Sequence, residues 1–204
     1  MTNQEAHRLA RERGVSRWRY ALVRGVAAPA FRLYFRMHIS GTEHIPVEGQ
    51  AIVAPNHKSF WDSFFIGVCT RRHVRFMAKT ELIEAGYGKL LVRLGAFPVR
   101  RGQADEDALE TGAPLVPCAI TGTEKIFRGG FPVPRRVQVA FSPPVSVSEL
   151  PPSPEAASEL IEEMVWPEVE GTYRRLRARP TLIAAGLAAI GIGGGLLARR
   201  RRRR

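Results

Sequence analysis

Short apolar runs closed by glycine, proline or polar turns recur through the middle of the chain and alternate with stretches of helical character. Ala51 to Pro55, Val74 to Ala78, Ala96 to Arg100 and Leu115 to Ile120 read as buried strands, and Val137 to Phe141, which alternates, as a later one. Phe60 to about Cys69 and Glu81 to Leu94 read as helices, the second weakened by Gly86 and Gly88. Gly41 to Gly49 is a turn-rich connector. After the prolines at 151, 152 and 154, Ser153 caps and Pro154 opens a long helix. Strands alternating with helices predict an α/β fold, a mixed central sheet flanked by helices.

The two ends have a different composition. Residues 1 to about 14 read as a polar, frayed lead-in. Residues 15 to 38 interleave arginine with aromatic and aliphatic residues and contain no Asp or Glu. This suits a helix in a membrane interface, rings at headgroup level and guanidinium groups reaching phosphates; the alternative is a helix packed on the domain with a solvated basic face. Thr181 to Ala198 carries no charge and ends in Arg199 to Arg204. As a helix it would extend roughly 27 Å, just short of a hydrocarbon core. Its glycines suit a membrane helix better than a soluble one, so a membrane anchor is expected, with a low-complexity tail as the alternative. The expected organisation is a basic aromatic segment (1–38), an α/β domain (39–150), a linker and helix (151–180) and the apolar tail (181–204).

Charge narrows the partners. The formal net charge is +12, half of it from the terminal arginine run. A basic chain seeks phosphates, whether in nucleic acid, lipid headgroups or a phosphorylated substrate. Zinc-ligand spacing, RNA-binding aromatic signatures and recognition-helix motifs are missing from the sequence, which argues against nucleic acid. No metal or cofactor is expected. Cys69 and Cys118 lie far apart in apolar runs and are expected as buried free thiols.

The chemistry concentrates at Asn56-His57-Lys58-Ser59-Phe60-Trp61-Asp62. His57 ends a buried strand and Asp62 begins a helix. Five positions apart they cannot share one helix and touch, but they meet if His57 sits in the turn and Asp62 in the first helical turn. Ser59 to Asp62 has the pattern of a capping box, with Ser59 as N-cap and Asp62 three residues on. Either residue alone has a plain structural reading, Asp62 as a cap and His57 as a loop histidine. Together they form a general base and the carboxylate that orients it.

The pattern of His57, four spacers and Asp62, followed by Gly95-Ala96-Phe97-Pro98-Val99-Arg100-Arg101, resembles the glycerolipid acyltransferase family. Phe76-Met77-Ala78-Lys79 through Leu82, and Val116-Pro117-Cys118-Ala119-Ile120, match further family blocks in order, over about residues 39–148. The resemblance implies that His57 deprotonates a glycerol hydroxyl, Asp62 holds the imidazole, and the alkoxide attacks an acyl thioester without a Ser or Cys nucleophile. It implies that Arg100, with Arg101 behind it, holds the acceptor's phosphate. Gly95, Phe97, Pro98, Val99 and Lys79 would complete the acceptor side. Trp61, Phe64 and Phe65 are candidates for an acyl channel or for plain core. The implied partners are membrane lipids, a lysophospholipid acceptor such as 1-acyl-sn-glycerol-3-phosphate, and acyl-CoA or acyl-carrier protein, at the cytoplasmic face of a membrane.

One family block, Phe-Pro-Glu-Gly-Thr-Arg, is absent. Only Gly102 to Leu115 separate Arg101 from Val116, too few residues for the usual intervening elements. They read as a short acidic helix, 104–110, and a turn. Glu170-Gly171-Thr172 spells part of the block but lies in a helical segment downstream of every other block, and reads as coincidence. The shortened connection leaves a second reading open, a catalytically silent, membrane-bound relative. It also leaves the neighbours of the lost strand unpaired unless they close on each other.

Overall fold

The computed structural model describes residues 2–98, 112–147 and 153–178. The chain opens with helix α1 (Asn3–Glu12), where a frayed lead-in was expected. Thr2 and Glu5 form a reciprocal capping box, Thr2 N–H donating to Glu5 Oε2 at 2.9 Å and Glu5 N–H to Thr2 Oγ1 at 3.3 Å. Ala6 and Ala10, one turn apart, are buried against Ala78, Ile83, Leu91, Val92 and Ala96.

Helix α2 (Arg17–Tyr34) falls within the expected basic aromatic segment. One stripe faces the protein: Tyr20 is buried and donates its hydroxyl to the Gly67 carbonyl, and Phe31 stacks on Phe65. The other stripe, Trp18, Leu22, Val26 and Leu33, is exposed.

The main sheet has the order β1 (His38–Ser40), β8 (Gln138–Phe141), β5 (Leu115–Thr121), β2 (Ile52–Pro55). β1 runs parallel to β8, β8 antiparallel to β5, and β5 parallel to β2. It is the mixed sheet expected. All seven residues of β5 are buried, because both faces are covered. Val116, Cys118 and Ile120 meet Phe35, Phe65 and Ile66 on one face. On the other, Leu115 packs with Ala157, Leu160, Val165 and Val169, and Ala119 with Leu176. Those partners come from α6 (Pro154–Glu159), a π-helical stretch (Leu160–Val165) and helical residues 166–178. Ser153 caps α6 as expected, accepting from Ala156 N–H.

A separate two-stranded sheet pairs β3 (Phe76–Ala78) with β4 (Ala96–Pro98) in parallel. The helix expected over Glu81 to Leu94 is two, α4 (Thr80–Glu84) and α5 (Gly88–Arg93), broken where the glycines weaken it. β2 and β5 pair directly, Ile52 beside Leu115 and Pro55 beside Cys118. β1 and the hairpin β6 (Phe127–Arg128) and β7 (Phe131–Pro132) were not expected; strands this short carry no readable period.

Val99, Arg100 and Arg101, the acidic helix expected at 104–110 and the apolar tail 181–204 lie outside the described residues. Among the described residues, no helix is long and apolar enough to cross a membrane.

Candidate active site

β2 delivers the site. It ends at Pro55, and His57 N–H folds back onto the Pro55 carbonyl at 2.9 Å, making a tight turn. Asn56, buried between strand and turn, clamps the neighbouring strand through both ends of its amide. Its Nδ2 donates to the Ile120 carbonyl at 3.0 Å, and its Oδ1 accepts from Ile120 N–H at 2.7 Å. A side chain thus continues the β2–β5 ladder one position past the strand, fixing where the His57 turn begins.

Asp62 starts α3 (Asp62–Gly67), placing its carboxylate back over that turn. His57 Nδ1 lies 3.2 Å from Asp62 Oδ2. The same oxygen accepts from Lys58 N–H at 2.7 Å and Ser59 N–H at 2.8 Å. One half of the expected capping box is present in the Ser59 N–H bond; the other is altered, since Trp61 is the N-cap and Ser59 Oγ accepts from Trp61 N–H at 3.3 Å.

The pair is asymmetric in exposure: the Asp62 side chain is 0% exposed and that of His57 56%. Burial works to raise the Asp62 pKa, but hydrogen bonds from His57, Ser59 and Lys58, with the Thr123 hydroxyl nearby, reverse this, and the carboxyl sits below its ordinary value. An ionised Asp62 holding Nδ1–H leaves Nε2 as the nitrogen free to accept a proton. Thr123, fully buried at the end of β5, stands beside the carboxylate without completing a hydrogen bond. Asp62 Oδ1 and Thr123 Oγ1 are each buried without a partner. Sequence reasoning missed Thr123 because only strand register brings it to Asp62.

Aromatic residues wall the site on one side. Trp61 stacks on Phe127 of β6 at 5.1 Å between ring centres and packs near Phe60 and Phe64. Phe65, a channel candidate, is instead fully buried in the core. On another side the Lys58 ammonium lies 3.9 Å above the Tyr173 ring, so the C-terminal helical stretch reaches the loop between His57 and Asp62.

Of the residues assigned to the site, the structure brings His57 and Asp62 together. Gly95, Phe97, Pro98 and Lys79 lie with the β3–β4 sheet, and no described hydrogen bond or ion pair joins them to His57. Gly95 has a backbone reason of its own. Its φ is +110°, and a Cβ there would sit 2.6 Å from the Val74 carbonyl oxygen. Phe97 is half-buried under the Arg75 guanidinium, and Lys79 is the exposed N-cap of α4. Glu170-Gly171-Thr172 is helical, with Glu170 paired to Arg174 and Thr172 bonded to Ser142, so the likeness to the absent block is coincidental. Both cysteines are free. Burial pushes the Cys69 thiol up to about 12 and Cys118 well above its usual value, which suits packing rather than nucleophilic attack.

Comparison with known proteins bears on the fold. Residues 36–113 match the Acyltransferase family. The crystal structure of the 1-acyl-sn-glycerophosphate (LPA) acyltransferase of Thermotoga maritima shares the fold. The TM-score is 0.59 at 22% identity, covering 75% of this chain and 79% of that one. Uncharacterised proteins of Mycobacterium tuberculosis and Mycobacterium bovis are 28% identical over 156 positions. The match takes in 52% of this chain and 43% of theirs, so the chain spans less than half the length of those relatives. Since 52% of 204 residues is about 106, about 50 of the 156 aligned positions face no residue of this chain.

Proposed function

We propose that the protein transfers a fatty acyl group from acyl-CoA or acyl-carrier protein to the glycerol hydroxyl of a lysophospholipid, 1-acyl-sn-glycerol-3-phosphate being the expected acceptor. The observation that carries this is the buried Asp62 carboxylate 3.2 Å from the exposed His57 ring. His57 Nε2 takes the hydroxyl proton as the oxygen attacks the thioester carbonyl; the new C–O bond forms, the C–S bond breaks, and the imidazolium returns the proton to the leaving thiolate. Asp62 stabilises the imidazolium and fixes its tautomer. Arg100 and Arg101 are proposed to hold the acceptor phosphate. The exposed stripe of α2 supports action at a membrane, with the cytoplasmic face as the proposed side.

The test is thiol release from an acyl thioester by the purified full chain, with and without acceptor. Acceptor-dependent release that His57→Ala abolishes supports the proposal; equal release by the two proteins ends it. A second reading, a membrane-bound relative without turnover, is favoured by the absent block. It gives vesicle binding with no acceptor-dependent release. Resequencing the gene around codons 105 to 115 separates the two, because a longer reading frame carrying the block removes the reason for this alternative.

A further inference from the structure

Beside the base pair, at the same end of the main sheet, lies a cluster of cations that the proposed chemistry does not use. β2 and β5 run parallel, so His57 and Gly122 both follow strand C-termini, while β8 and β1 begin at that end, just after Arg136 and Arg36. There Arg36, Arg128, Arg135 and Arg136, with the backbone at Gly122, line an open cleft of about 490 Å³. Among the described residues none of the four guanidinium groups is paired with a carboxylate or hydrogen-bonded. Glu124 is the nearby acid, and its Oε2 accepts from Gly122 N–H at 3.1 Å.

Like charges gathered without counter-charge repel one another, and here the backbone is strained to gather them. Arg36 has φ +44°, the one non-glycine residue with positive φ among those described. The chain on either side is pinned: Val137 N–H donates to the Phe35 carbonyl at 3.1 Å, and His38 N–H to the Val137 carbonyl at 2.9 Å. Strain that persists because its surroundings over-determine it marks a site of use. Gly122 contributes a close approach. With φ +90°, a Cβ would sit 2.3 Å from the Arg136 carbonyl oxygen, so only glycine lets the loop carrying Arg135 and Arg136 close over the end of β5.

We propose that this cleft binds the phosphate of an anionic phospholipid headgroup in the membrane surface. Planar guanidinium groups suit phosphate oxygens. The surroundings select a lipid over a soluble anion, because the rim is apolar and exposed. Arg128 pairs across the hairpin with Phe131, which is 77% exposed; Leu33, three residues before Arg36, is 80% exposed. The Tyr34 hydroxyl donates to the Pro132 carbonyl at 2.8 Å, tying hairpin to helix. Basic cleft and apolar rim therefore continue the exposed stripe of α2. The site stands apart from acyl transfer, and its failure would leave the reading of His57 and Asp62 untouched.

The experiment is flotation of the full chain with phosphatidylcholine vesicles, with and without phosphatidic acid. Arg128→Gln/Arg135→Gln/Arg136→Gln is compared with a control of equal charge loss, Arg8→Gln/Arg11→Gln/Arg71→Gln. The cleft variant is expected to lose about tenfold or more in affinity for the anionic vesicles relative to the control, with neutral-vesicle binding unchanged. Equal loss in the two variants overturns the proposal. Arg36→Gly guards against misfolding: it removes a guanidinium while relieving the strain, so affinity is expected to fall while thermal stability holds or rises. Unchanged affinity in Arg36→Gly also counts against the site. A titration with inorganic phosphate separates the sources. Saturable binding at micromolar phosphate that the cleft substitutions remove, with vesicle binding intact, assigns the cleft to a soluble anion and overturns the lipid.

Discussion

The two sheets hold their candidate residues in different ways. In the main sheet, His57 follows a strand paired along its length with fully buried β5, and the Asn56 amide extends that pairing into the turn. In the small sheet, Gly95 to Pro98 sit on a two-stranded ribbon backed by α1, α4 and α5, where Ala6 and Ala10 of α1 meet Ile83, Leu91 and Val92. A two-stranded ribbon is marginal without such packing. His57 is therefore anchored by hydrogen bonds within a core, and the residues proposed for the acceptor by an apolar contact, so damage to each should show up differently.

Asp62→Ala separates the two most sharply. It removes the orienting carboxylate and the acceptor of the Lys58 and Ser59 N–H bonds, so acyl transfer is expected to fall about 10²-fold or more, together with about 2 kcal/mol of stability. His57→Ala is expected to match the loss of transfer and leave the melting curve in place. A chain in which His57→Ala melts as early as Asp62→Ala would show that the imidazole, too, is structural. Next, Asn56→Ala leaves the Ile120 N–H and C=O unpaired in a buried setting and is expected to cost about 2 kcal/mol in chemical denaturation.

Ala6→Glu forces a carboxylate into the contact between α1 and the small sheet. Amide exchange should quicken across β3 and β4 while β5 and β8 keep their protection, at a cost of about 1–3 kcal/mol. Uniform loss of protection would show that the two sheets unfold as one. The pH response is smaller. Because the folded pKa of Asp62 is depressed, its ionised form contributes stability above the ordinary carboxylate range, and that contribution is lost as pH falls through the folded value. Asp62→Asn should therefore narrow the gap in stability between neutral and acidic pH. The smallest effect is expected of Thr123→Val, a near-isosteric change that removes a hydroxyl making no hydrogen bond, with activity lowered severalfold at most.

How much of this was legible depended on separation along the chain. His57 and Asp62 could be paired on paper because both lie in one strand–turn–helix unit, and the large apolar runs announced β2, β5 and β8. Thr123 could not, since its place beside Asp62 follows from the β2–β5 register, which the sequence leaves open. α1 was hidden because it buries alanines. Its signal was nonetheless present in Thr2 and Glu5 at capping-box spacing and in Ala6 and Ala10 one turn apart. The arginine cleft assembles residues from three separate stretches, the end of α2, the β6–β7 hairpin and the loop before β8, and no short motif contains it.

The direct pairing of β2 with β5 bears on how such a chain could arise. The shortened connection runs from Pro98 to Leu115, from the last strand of one sheet to a strand of the other. An excision there passes between two hydrogen-bonded units rather than through either, and each remains closed on its own partners. Connections between elements tolerate changes in length far better than the elements do. A connection placed there can thus change in length and leave each sheet intact, with the strand–turn–helix unit that holds His57 and Asp62 kept whole.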